Sequence, residues 1–169
     1  DLPKFKNPKS GFVANSNNGP WTSTYPFIKE PLNYPVYIAN KPFTDFNYRS
    51  TRSIKMILSE ANLSFDKLVE MQSSTYAELA DRTVDELVNF GLQAKNSLLN
   101  EAAIALENWD RKLDSPSKGA VLFVNWYFKS RQMKMFEVEF SKDNALNTPN
   151  TLTLEAKELL LSAAKDTND

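Results

Sequence analysis

Three asparagines, Asn15, Asn17 and Asn18, fall within four positions in the stretch Asn7 to Trp21 (NPKSGFVANSNNGPW). Two chemistries suit that spacing. Asparagine tolerates left-handed backbone and its side chain hydrogen-bonds its own chain two residues on, so the cluster reads as a turn. The primary amide is also a neutral N–H donor that can be aimed at a developing oxyanion. The residues alone leave both readings open. Other catalytic chemistry is scarce. The chain has no His and no Cys, which removes imidazole bases, thiol nucleophiles and the commonest metal ligands. With only four Gly it has no glycine-rich phosphate loop. Asp81, Asp85 and Glu86 share a helical stretch with basic neighbours and read as a solvated face rather than an acid/base pair, which needs carboxylates in contrasting environments. Lys129, Arg131 and Lys134 lie beside Trp126, Tyr127 and Phe128 without a repeated stacking pattern, so no nucleic-acid partner is expected.

The elements that must carry these residues divide near Asp45. Seven of the nine prolines (Pro3, Pro8, Pro20, Pro26, Pro31, Pro35 and Pro42) precede it, and proline's fixed φ and missing donor predict an irregular arm over 1–44. One short strand is expected there, Gly11 to Ser16. The arm's aromatics, Trp21, Tyr25, Phe27, Tyr34 and Tyr37, suit a segment lying across a partner or wrapped on its own helices. Over 45–169 the apolar spacing predicts a helical domain. Helices are expected from Arg49 to Glu60, after a Ser64 cap, from Thr75 to Ala94 with Gly91 as a weak point, and after a cap at Asn96 or Ser97. The turn Asp114 to Ser117 ends that last one. Ser117 caps the next, whose apolar run Ala120 to Phe128 competes with a strand reading; the helix formers that follow favour helix. Phe136 to Phe140 alternates like a strand, Asn144 to Asn150 reads as a loop, and Thr151 or Thr153 opens a final helix.

The bulk numbers agree with a folded protein. The chain has 169 residues, is 41% hydrophobic and 24% charged, and has a net charge of −1. That is one domain's worth of sequence without a basic footprint. No apolar run approaches the roughly 20 residues of a membrane span, so no membrane partner is expected. Asp1 opens a loop-like stretch with no signal peptide, as in a piece of a longer protein or a trimmed domain. Two rival classes suit these observations: a helical interaction module with an aromatic arm, and a carboxylate enzyme acting alone.

The segment NPKSGFVANSNNGPW resembles a stretch of the penicillin acylase family that reads N-P-x-S-G-[YF]-[IV]-x-N-x-N-x-x-P. NYRSTRS is similar to the family's R-x-x-R stretch. LSFDKLVEMQSSTYAELADR and KGAVLFVNWYF resemble helical parts of the same chain, especially in acylases of the acyl-homoserine-lactone and aculeacin type, toward which Trp21 after Pro20 also leans. The resemblance implies an excised, mainly α segment of an N-terminal nucleophile hydrolase. In such enzymes a Ser at the head of a large chain attacks an amide with its own α-amino group as base. That Ser is expected outside this chain, so the chain alone is expected to be inactive. The resemblance makes Asn17 the oxyanion donor and Arg49, or else Arg52, the arginine that supports the site. It implies the remainder of the acylase precursor or its large and small chains as partners, a small acyl amide as substrate, and a periplasmic or secreted location. Calcium-binding members carry an Asp soon after the Tyr-Pro step. Here Tyr25-Pro26 leads only to Glu30, so no metal or cofactor is expected through this segment.

Overall fold

A computed structural model describes residues 2–39, 47–114 and 117–168. The expected arm boundary at 44/45 and the middle of the Asp114 to Ser117 turn lie outside the described residues. Among those described, helix dominates. The six α-helices are α1 (Tyr48–Leu58), α2 (Phe65–Gln72), α3 (Glu78–Gln93), α4 (Ser97–Glu107), α5 (Lys118–Ser130) and α6 (Leu154–Asn168). Strands β1 (Phe136–Val138) and β2 (Asn150–Leu152) pair antiparallel, with Phe136 opposite Leu152 and Val138 opposite Asn150. The chain is mainly α with a Pro-rich N-terminal arm, as its composition predicts. By its contacts it divides into two compact units, residues 1–73 with 140–146, and residues 74–139 with 147–169.

In the first unit the arm wraps α1. Ile54, 1% exposed, and buried Ala145 form a small core on which Phe12, Tyr25, Phe27, Phe140 and Leu146 pack. Tyr25 and Phe27 meet edge to face at 5.2 Å. Burial of such rings is the main source of stability available to so irregular a segment. Tyr37 stays 86% exposed. No strand forms at 11–16. The backbone there alternates between exposed and half-buried positions, yet it makes one ladder-like bond, Ala14 N–H to the Ser23 carbonyl at 2.7 Å. The residues just before Ser23 form a short 3-10 turn, Pro20–Thr22, whose proline lacks the donor a ladder needs. Helix α1 starts where Asn47 Oδ1 accepts from Ser50 N–H at 2.8 Å, and Ser64 caps α2 in the same way.

In the second unit α3 and α4 pack through Gly91. A Cβ there would lie 2.7 Å from both Ala103 Cβ and the Leu99 carbonyl oxygen. Gly91 therefore continues the helix and is the point of closest approach, where the sequence suggested a break. The strand alternative for Ala120 to Phe128 is resolved as α5. Ala120, Leu122, Phe123 and Trp126 are buried, but Val121 and Phe128 are about half exposed, so α5 is not enclosed on all sides. Trp126, fully buried, donates Nε1–H to the Ala156 carbonyl of α6 at 2.7 Å. Trp109, Phe123 and Trp126 stack in sequence at 5.0 and 5.5 Å. Thr153 rather than Thr151 opens α6, its Oγ1 accepting from Ala156 N–H at 3.2 Å. Thr151 lies in β2 at φ 60°, an uncommon conformation for a β-branched residue.

Candidate functional site

The Asn segment sits in the first unit as a tight loop built from its own side chains. Asn17 is left-handed at φ 60°, a conformation that asparagine tolerates better than most residues. Asn15 Oδ1 accepts from Asn17 N–H at 2.9 Å, and Asn18 Oδ1 accepts from Ser16 N–H at 2.6 Å. Asn18 Nδ2 in turn donates to the Gly19 carbonyl and to Thr22 Oγ1, tying the loop to the 3-10 turn that follows. Gly19 gives Trp21 room, because a Cβ at position 19 would fall 2.4 Å from the indole. Across the loop, the Ser16 and Ser53 hydroxyls share a hydrogen bond at 3.0 Å.

Helix α1 delivers the arginine. Arg49, in its first turn, donates Nη1–H to Asn17 Oδ1 at 3.3 Å. The structure thus brings together Asn17 and Arg49, two residues separated by 32 positions. Both are exposed. Arg52, the alternative, is half-buried one turn further along α1. The Asn17 amide oxygen accepts from a cation, and its Nδ2 makes no hydrogen bond to any described residue. The turn reading of the asparagine cluster holds for Asn15 and Asn18, whose side-chain oxygens each take an N–H two positions away. Sequence reasoning did not single out Ser16 or Gly19.

Of the acidic residues of α3, Asp85 is exposed as a solvated face implies, while Asp81 and Glu86 are half-buried. Asp81 accepts from Arg111 Nη1 at 3.0 Å and from the Tyr76 hydroxyl, and Asp85 accepts from Arg111 Nη2 at 2.6 Å. Glu86 receives Leu152 N–H on both oxygens and pairs with Lys157 at 2.8 Å. They are staples within the second unit, because Arg111 and the start of β2 lie against α3. Burial, then the Asp81 hydrogen bond, pushes the Tyr76 phenol above its ordinary value. Burial alone would lower the Arg111 guanidinium, but the Asp81 hydrogen bond and the Asp85 charge outweigh it and hold it higher. Asp85 and Arg111 border a cleft of about 280 Å³ that Val84, Leu106, Glu107 and Trp109 also line. Its guanidinium is already committed to two carboxylates. Of the basic cluster, Lys129 pairs with Asp166 at 2.6 Å and Arg131 lies over the Phe128 ring at 4.6 Å. Near the Tyr-Pro step, Glu30 pairs with Lys142. Among the described residues no group of three acidic side chains could hold a metal ion, and no helix is long and apolar enough to cross a membrane.

The fold and this loop define a helical chain whose Pro-rich arm carries an asparagine-built loop joined to α1 through Arg49. Comparison with known families makes the class specific: residues 1–169 match the family model described as penicillin amidase. The chain belongs to the penicillin amidase family and is a segment of an acylase-like amide hydrolase of the N-terminal nucleophile class.

Proposed function

We propose that this chain supplies the oxyanion donor to an N-terminal Ser amidase whose nucleophile lies outside these residues. The Ser hydroxyl attacks the substrate carbonyl and passes its proton to its own α-amino group. Asn17 Nδ2 donates to the oxyanion as the carbonyl becomes tetrahedral. The amine leaves with a proton, and water hydrolyses the acyl-enzyme by the same route. The observation that carries this reading is the 3.3 Å bond from Arg49 Nη1 to Asn17 Oδ1. It occupies the amide's acceptor end and leaves the NH2 to donate. It also places a cation beside the amide whose N–H bears the oxyanion, where positive charge favours the transition state over the neutral carbonyl.

The partners on this reading are the remainder of the acylase precursor, or its large and small chains, and a small acyl amide. The Pro20-Trp21 step and the helical segments support a branch that includes acyl-homoserine-lactone and aculeacin-type acylases. A periplasmic or secreted location goes with that branch. The isolated chain is expected to be inactive because it lacks the attacking Ser.

The test is Asn17→Ala in the full enzyme, assayed on a chromogenic acyl anilide. Loss of one oxyanion donor lowers kcat by about a hundredfold to a thousandfold. The melting temperature is expected to fall by only a few degrees, because Asn17 is exposed and its side chain makes one bond, while Ala at its left-handed φ of 60° costs about 1 kcal/mol. A kcat close to wild type in Asn17→Ala would overturn the assignment and favour the interaction-module reading.

A further inference from the structure

We propose that Asn15 is a positioning residue, holding Asn17 in the backbone conformation from which its amide donates. This rests on the function proposed for Asn17. The left-handed φ of 60° at Asn17 sets the direction in which its Cβ leaves the chain. Two bonds reach Asn17: Asn15 Oδ1 on its N–H at 2.9 Å, and Arg49 Nη1 on its side-chain oxygen at 3.3 Å. The first fixes the backbone and the second fixes the amide plane, so the NH2 direction is set only when both are present.

Stability does not account for the Asn15 bond. Both of its residues are exposed, where water satisfies a free N–H at little cost. Asn18 is a useful contrast. It is half-buried, and its side chain makes three bonds that tie Ser16, Gly19 and Thr22 together, which is a structural role. The two flanking asparagines therefore divide the work, one aiming Asn17 and one holding the loop. The Asn15 bond has a second effect. It caps the Asn17 backbone N–H, leaving the side-chain amide as the free donor of that residue.

The two roles predict opposite readouts in the full enzyme. Asn15→Ala is expected to lower kcat by about tenfold to a hundredfold, the scale of a small misalignment of a catalytic group, with KM and melting temperature unchanged. Asn15→Ser keeps an uncharged acceptor at the same turn position and is expected to recover most of the kcat. Asn18→Ala is expected to lower the melting temperature. A wild-type kcat in Asn15→Ala, alongside a collapsed kcat in Asn17→Ala, would overturn the positioning role and leave the oxyanion assignment standing. A wild-type kcat in both would overturn the oxyanion assignment itself. A kcat loss in Asn15→Ala matched by a drop in melting temperature, with no recovery in Asn15→Ser, would reduce Asn15 to a folding role.

Discussion

At the scale of single residues, three asparagines within one run of four positions use their side chains differently. Asn15 and Asn18 spend their oxygens on backbone N–H groups, while Asn17 offers its oxygen to Arg49. Turn reading and donor reading were competing accounts of the whole cluster; the turn reading holds for Asn15 and Asn18, and the donor reading is the one proposed for Asn17. Arg49 acts on the proposed reaction through Asn17, so its removal should cost less than the loss of Asn17 itself. In the full enzyme Arg49→Ala is expected to lower kcat by about tenfold, because a freely rotating amide still donates part of the time. Steady-state kinetics of the double variant decide the point: Arg49→Ala added to Asn17→Ala should cost almost nothing more, since residues acting as one unit are non-additive. Additive losses would mean that Arg49 has a separate role.

At the scale of elements, caps and close approaches set the geometry. Asn47, Ser64, Asn96 and Ser117 each accept a backbone N–H at a helix start. Each is a residue type whose short polar side chain favours that position, and three of the four were legible as caps in advance. Gly91 was legible only as a weakness. Its reason lies in α4, 2.7 Å away through Ala103 and a backbone carbonyl that has no side chain to swing aside. Gly91→Ala gains about 1 kcal/mol of helix propensity but forces α3 and α4 apart, an overpacking cost of about 1–3 kcal/mol. The balance is expected to lower the melting temperature by a few degrees, read by calorimetry. A rise would mean that α4 yields without cost.

At the scale of the whole molecule, the chain enters the second unit after Ser73, returns to the first for residues 140–146, and leaves again. The first unit's core therefore depends on residues far along the chain: Ala145, Phe140 and Leu146 complete the cluster around Ile54. A chain cut after Ser73 keeps the Asn loop and α1 but loses that half of its packing. With so small a core it is expected to lack a cooperative transition, seen as poor amide dispersion in a nitrogen–proton NMR spectrum. Well-dispersed signals from the cut chain would show that the arm and α1 suffice.

What sequence alone determined was local. Apolar spacing and cap residues were enough for helices α1 to α6 to be placed within a few positions, because a helix buries one face at a period its own sequence displays. Proline content marked the irregular arm because proline removes donors regardless of context. The ordered motif around Asn17 pointed to the family, and the match over residues 1–169 bears that out. What only the tertiary structure decided was pairing. The absence of a strand at 11–16, the carboxylates of α3 drawn onto Arg111 and Leu152 N–H, and the bond from Arg49 to Asn17 all depend on which residues fold back onto which. A hydrogen bond acts over about 3 Å, whereas Asn17 and Arg49 are 32 positions apart in the chain. No spacing rule within one helix or strand reaches that far, so the amide's orientation is a property of the fold.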